Sequence, residues 1–286
     1  MLGHCETPDS VEFGNTVTKA TMYLLERAKK SDHKYKAIMS PGGKAGYENA
    51  ICTYALCEMF TMTNASGSAA RLPRLQSAMK QGVKAIIEGQ ITRGAEEGGW
   101  DYGYRHGTGD GAVTGWQFQA LKAASNTGER FTGLEKAMER AIKWFKHAQT
   151  PQGGTSYRPS KDKTERHGLA GVGTLAFLMI GDEGPEFKKS SENLEKHYIK
   201  GNPHGYTWYY VMQSFFLHGG ESWKKWNEFA MPKILNAQAD DGRFKIPGGH
   251  GPKDPVAKAV YETCLSTLML EVYYRYLPTS QKNFGK

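Results

Sequence analysis

A chain of 286 residues is long enough to bury a substantial core, as one large domain or as two ordinary ones. Hydrophobic residues make up 39% of the chain and charged residues 23%, a composition typical of a globular protein and not of a disordered one. The formal net charge of +8 is spread over lysine doublets, without a basic block that carries interleaved aromatic residues, which argues against nucleic-acid binding.

The N-terminal residues lack the basic start and apolar stretch of a secretory leader. No apolar run approaches the ~20 residues that span a bilayer, so we expect no membrane span. The sequence leaves open where the protein works and whether it is a fragment of a longer chain. The four cysteines are too few for a disulfide scaffold, and Cys52 and Cys57 lie in an apolar helical run that predicts buried thiols.

Five segments in succession each combine an amphipathic helix with a more apolar helix. Three of them align on a glutamine, namely Gln90, Gln149 and Gln238, with a small and an apolar residue eight and four positions earlier on the same helical face. A glycine-containing turn and an aromatic residue follow each glutamine. We predict a single domain over 1–286 with repeats at 15–63, 75–128, 134–182, 186–220 and 222–278.

Strand signals are nearly absent, so the fold class is predicted to be all-α. The apolar second helices require burial, whereas the amphipathic first helices require one polar face in water. An α/α toroid satisfies both, with about five helical hairpins, an inner apolar ring and an outer amphipathic ring. An open solenoid is the alternative, but the length of the apolar helices favours closure.

The spacing of glutamine, glycine and aromatic residues resembles the QW motif of the terpenoid cyclase and protein prenyltransferase superfamily, whose members are α/α toroids. Stretches such as YENAICTYALCEMFTMT and VYETCLSTLMLEVYYRYLP are similar to bacterial prenyltransferase/squalene-oxidase-repeat proteins of the planctomycete type. The resemblance implies the toroid over most of the chain but no particular activity, because a fold does not fix function. It also implies that each glutamine binds the turn and the N-terminus of the next helix under its aromatic partner. These pairs are Gln90–Trp100, Gln149–Tyr157 and Gln238–Phe244.

The catalytic motifs of the superfamily are not carried over. Squalene-type cyclases use a DxDD acid, and the nearest pair here, Asp240–Asp241, lies in a turn where aspartate is a common turn residue. Protein prenyltransferases bind zinc partly through a YHTC-like stretch, which is YETC here, with Glu262 at the histidine position. The accompanying Asp-x-Cys motif is missing, so we expect no metal and no other cofactor. Lys258 precedes Glu262 by one helical turn and is its expected partner.

Three polar clusters precede second helices and would lie at one end of a toroid. There they could bind an anion or supply a histidine or tyrosine base for β-elimination from an acidic polysaccharide. Asp110 has a second interpretation, as the cap of a helix that begins near Gly111. Ordinary solvated loops remain the alternative. The cluster residues are Tyr104, Arg105, His106 and Asp110, then Tyr157, Arg158, Arg166 and His167, then Lys245, His250 and Lys253.

Aromatic residues in GYTWYYVMQSFF, including Trp208 and Tyr209, predict either an apolar or sugar-stacking cavity or simple core packing. The leading functional hypothesis is therefore a ligand-binding or scaffold toroid. One alternative is a lyase or binding protein for acidic polysaccharide, and another is an isoprenoid-processing enzyme with an aromatic cavity. The partner would be a small molecule, an isoprenoid, an acidic glycan or a protein.

Overall fold

The structure is a computed structural model that describes residues 6–38, 46–104, 107–201, 203–246 and 251–274. Within these ranges the chain is all-α, because its only β-type pairings are isolated bridges in turns. This confirms the all-α prediction, and the toroid arrangement stays a prediction. The helices are α1 (Gly14–Lys29), α2 (Gly46–Ser66), α3 (Leu75–Gly89), α4 (Gly111–Ser125), α5 (Leu134–Ala148), α6 (Val172–Ile180), α7 (Pro185–Tyr198), α8 (Gly205–His218), α9 (Gly220–Leu235) and α10 (Pro255–Leu270).

Local sequence signals set several of the helix ends. The Asp110 carboxylate accepts hydrogen bonds from the backbone N–H groups of Ala112 and Val113 and so caps α4. Asp254 caps α10 in the same way, directly before a proline at the first helical position. Gly181 ends α6 in the left-handed conformation, with φ of 70°, which glycine adopts without steric cost.

The described residues form two compact units. The first unit comprises those in Met1–His147 together with Arg158–Lys161. Within it α2 packs on α4, α3 contacts both of these helices, and α1 packs on α3. The α5 helix joins through Phe145, whose ring meets Phe118 of α4 edge to face, with 5.9 Å between centroids.

The second unit comprises the described residues in Ala148–Tyr157 and Asp162–Arg275. Here α8 packs on both α6 and α10, α7 packs on α6, and α9 packs on α8. In each unit, then, the second helix of one predicted pair lies against the second helix of the next pair. The single domain predicted over 1–286 stays a prediction.

The second helices are largely buried, as their composition predicts. Every residue of α4 up to Ala124 is buried, and so is α6 up to Met179. Cys52 and Cys57 of α2 are buried free thiols, which confirms that prediction. Among the described residues no helix has both the length and the apolarity needed to cross a membrane.

The last helix departs from this pattern. Only Leu265, Ser266 and Met269 of α10 are buried, whereas Val256 is 73% and Val260 is 59% exposed. The expectation that its apolar residues reflect burial on all sides is therefore wrong. Of the helices in its unit, α8 covers one face of α10, and the valines lie outside that contact.

Candidate functional site

The first motif glutamine is a structural connector. Gln90 donates through Nε2 to the carbonyl oxygens of Gly98 (3.0 Å) and Ala137 (2.8 Å). Its Oε1 accepts from Arg140 Nε at 2.8 Å. The side chain thereby joins the end of α3 to its turn and to α5, the next amphipathic helix. The Trp100 indole closes the turn by donating to the Ile86 carbonyl at 2.8 Å.

The side chains of the other two motif glutamines also form hydrogen bonds, but they reach different partners. Gln149 donates to the Glu186 carbonyl (2.7 Å) and to Ser190 Oγ (2.9 Å), both on α7. Its backbone forms an isolated β-bridge with Thr155, two residues before the motif aromatic Tyr157. The backbone of Gln238 forms an isolated β-bridge with Phe244, and its side-chain amide reaches only the Gly242 carbonyl at 3.3 Å. The bonds of Gln90 and Gln149 thus run to the next amphipathic helix and not to the apolar helix that follows the turn.

Two candidates of the first unit belong to its packing. Asp110 is buried as the cap of α4. Tyr104 is buried with φ of 62°, and its hydroxyl accepts from Asn49 Nδ2 (2.9 Å) and donates to Gln117 Oε1 (3.2 Å). Burial raises the pKa of Tyr104 well above its usual range, so its hydroxyl stays protonated. Arg105 and His106 lie outside the described residues.

A buried carboxylate in the first unit carries no sequence signal. Glu96 is 4% exposed, and its Oε2 accepts from the Trp144 indole at 2.8 Å. Its Oε1 accepts from the Ser160 backbone N–H at 2.9 Å. Because both oxygens are satisfied within the protein, Glu96 fixes two segments of the unit and offers no free acceptor to a ligand.

In the second unit, four side chains meet at the turns and form what we term the His–Tyr–Glu cluster, consisting of Glu165, His167, Tyr198 and His204. The Tyr198 hydroxyl donates to Glu165 Oε1 at 3.0 Å. The His167 ring stacks on Tyr198, with 5.3 Å between centroids and 27° between planes. His204 meets His167 edge to face at 5.5 Å.

Three separate segments build this cluster. Glu165 and His167 lie in the turn between α5 and α6, where a β-bridge between Ser156 and Glu165 fixes the backbone. Tyr198 is the last residue of α7. His204 caps α8, because its Nδ1 accepts from the Thr207 backbone N–H at 3.3 Å.

Close packing holds the Glu165 carboxylate in place. Gly154 lies against it, and a Cβ there would come within 2.4 Å of the carboxyl carbon, so a larger residue would displace the carboxylate. Asn193 Nδ2 donates to the same Oε1 that accepts from Tyr198, at 3.0 Å. One carboxylate oxygen is thus filled by two neutral donors.

The cluster contains a protonated tyrosine, and a carboxylate oxygen and an imidazole that have no hydrogen-bond partner among the described residues. Burial first, and then the negative charge of Glu165, raise the pKa of Tyr198 above its usual range, so Tyr198 is a proton donor at neutral pH. Within the described part of the chain, Oε2 of Glu165 and both ring nitrogens of His167 have no hydrogen-bond partner. Glu165 is half-buried and His167 is exposed, so solvent reaches both.

The remaining candidates lie elsewhere. Trp208 is 3% exposed and packs against Trp226 of α9, and Tyr209 is fully buried, so both take part in helix packing. Arg166 is exposed and pairs with Asp162 at 3.5 Å. Tyr157 and Arg158 are half-buried, Lys245 and Lys253 are exposed, and His250 lies outside the described residues.

Glu262 pairs with Lys258, as the helical spacing predicts. Lys258 Nζ lies 3.8 Å from Glu262 Oε1, and the glutamate side chain is 14% exposed. Among the described residues, no group of three or more His, Cys, Asp or Glu side chains is arranged to hold a metal ion.

A histidine recurs at the same distance before three of the second helices. His106, His167 and His250 each lie five residues before the first residue of a second helix, and a glycine follows each of them. Tyr198 and His204 have no such signal in the sequence.

No protein-family model matches the chain, and no curated protein matches its sequence.

Proposed function

We propose that this chain is an α/α-toroid repeat domain, related to the prenyltransferase/squalene-cyclase repeats, that binds a polar ligand at the His–Tyr–Glu cluster. In support of the toroid, second helices pack on second helices within each unit, and α4 and α6 are buried almost throughout. Amphipathic first helices flank them, as in an inner and an outer ring.

One observation carries the binding proposal. A carboxylate oxygen and an imidazole, both reachable by solvent, are held in fixed positions by side chains from three segments. By contrast, both oxygens of the buried Glu96 carboxylate accept from donors within the protein. Convergent polar groups with unused hydrogen-bonding capacity are typical of ligand sites.

The alternative activities have less support from the same residues. A cyclase acid is missing from the sequence, and Glu262, at the zinc-ligand position of the prenyltransferases, is paired with Lys258. Trp208 and Tyr209, the aromatic residues expected to line an isoprenoid cavity, are packed between helices.

Elimination from an acidic polysaccharide is also disfavoured at this cluster. A tyrosine base needs a lowered pKa, whereas the pKa of Tyr198 is raised by burial and by Glu165. The uronate carboxylate of such a substrate would meet the Glu165 carboxylate, and like charges in contact repel each other. Binding is therefore proposed in preference to catalysis.

Thermal denaturation with a ligand panel tests the proposal, because a ligand that binds only the folded state raises the melting temperature. The panel contains oligosaccharides, uronate oligomers, polyamines and prenyl diphosphates. We expect a ligand that stabilises the wild type and His147→Ala, an exposed control on α5, but not His167→Ala. A ligand that stabilises all three equally, or a panel without any stabilising ligand, would contradict the proposal.

A further inference from the structure

We infer that the ligand of the His–Tyr–Glu cluster is a neutral, hydroxyl-rich molecule of the oligosaccharide type. The inference rests on the proposed function and names the chemistry of the same site. It follows from how the Glu165 carboxylate is held, from the charges beside it and from the exposed ring of His167.

The Glu165 carboxylate is prepared to accept a hydroxyl. Its Oε1 already accepts from the two neutral donors Asn193 and Tyr198, and no cation of the described residues lies within ion-pair distance of it. Its Oε2 has no partner in the same ranges and is the atom left for a ligand. Hydrogen bonds from a hydroxyl to a carboxylate are short and strong, and they need no charge on the ligand.

Asn193 adds a second unused acceptor beside the carboxylate. Its Oδ1 is buried and has no hydrogen-bond partner, while its Nδ2 holds Glu165. A buried acceptor of this kind is a position for an ordered water that bridges to a ligand hydroxyl.

The charge of Glu165 disfavours anionic ligands, and the formal net charge of +8 disfavours polycations. A uronate or phosphate in contact with Oε2 would meet the negative charge of Glu165. A polyamine would approach a chain that is basic overall, with Lys163 two residues before Glu165 and Lys200 two residues after Tyr198. A neutral polyol encounters neither repulsion.

The His167 ring provides a surface for a sugar ring. One face stacks on Tyr198, and the edge-to-face contact with His204 fixes its orientation. Because His167 is exposed, we expect its other face to receive the C–H face of a pyranose, with its ring nitrogens available to hydroxyl groups.

Isothermal titration with three ligand classes tests the inference. The arms are neutral oligosaccharides of glucose and N-acetylglucosamine, oligogalacturonates, and the amines spermidine and chitosan oligomers. We expect binding only in the neutral arm. Glu165→Gln should weaken that binding about tenfold, since it removes the charge from the acceptor. Glu192→Gln, an exposed control on α7, should leave it within about twofold.

The circular dichroism spectrum and the melting temperature show whether Glu165→Gln folds. If it does not, His167→Ala replaces it, with the same loss of neutral-ligand binding expected. Binding of uronates or amines through Glu165 and His167 without neutral sugars would overturn the inference and leave the proposed function standing. No binding in any arm, or neutral binding that neither variant changes, would overturn both.

Discussion

Tyr198 illustrates how one residue joins stability to the proposed site. Its hydroxyl holds the Glu165 carboxylate, and its ring supports His167. The side chain is buried while the group that it positions is reachable by solvent. Removing the hydroxyl should therefore affect both the free energy of unfolding and the site.

We expect Tyr198→Phe to lower the free energy of unfolding by about 1–3 kcal/mol, because a partly buried hydrogen bond to a carboxylate is lost. Tyr23→Phe is the matched control, since Tyr23 lies exposed on α1, and its effect should stay below about 0.5 kcal/mol. Urea denaturation measures both. Equal effects of the two substitutions would contradict the role given to the Tyr198 hydroxyl.

Lys122 gives a second prediction at the residue scale. It is buried in α4, and burial lowers its pKa from 10.5 to about 8. Between these two pH values the unfolded state binds more protons than the folded state, so the cost of burying the charged lysine falls and the free energy of unfolding increases with pH. Below about pH 8 both states are protonated and the contribution is constant.

The Lys122→Met variant should therefore lack the part of the increase that the wild type shows between about pH 8 and 10.5. Lys143→Met, an exposed substitution on α5, should keep that increase. Urea titrations at several pH values provide the comparison. A Lys122→Met curve that runs parallel to the wild type over this interval would show that the lysine titrates normally.

At the scale of elements, two of the three motif glutamines connect the turn after one amphipathic helix to the next amphipathic helix. Gln90 binds two backbone carbonyls and Arg140, whereas Gln238 makes one long bond within its own turn. We therefore expect the same sequence motif to stabilise the two turns to different extents, because Gln90 is buried and Gln238 is exposed.

Gln90→Ala should lower the free energy of unfolding by about 2–4 kcal/mol, because it leaves buried carbonyl groups without donors. Gln238→Ala changes the corresponding position of the last repeat and should cost less than about 0.5 kcal/mol. Chemical denaturation of both variants checks this. Similar losses for the two would mean that the motif, and not its burial, determines stability.

At the scale of the whole molecule, the proposed closed ring has a measurable consequence. A compact chain of 286 residues has a radius of gyration of about 19 Å, whereas an open array of helical hairpins has a larger one. We expect small-angle X-ray scattering to give the compact value with a symmetric distance distribution. A clearly larger radius with an elongated distribution would favour the solenoid.

Several features could be predicted from the sequence because their signals are local. The order of amphipathic and apolar helices, the cap formed by Asp110 and the pair of Lys258 with Glu262 depend on spacings within a few helical turns. The burial of α4 follows from its composition as well. The same reasoning failed for α10, because composition shows which residues favour burial but not whether a neighbour covers them.

The composition of the His–Tyr–Glu cluster is visible only in the tertiary structure. His167 was predicted from its turn, but Tyr198 lies at the end of a charged helix and has no motif of its own. Its contact with Glu165 spans 33 residues and depends on α7 packing against α6. Hydrophobic periodicity determines which helices form. The packing of those helices determines which polar side chains meet, since that depends on distances in space that local spacing does not encode.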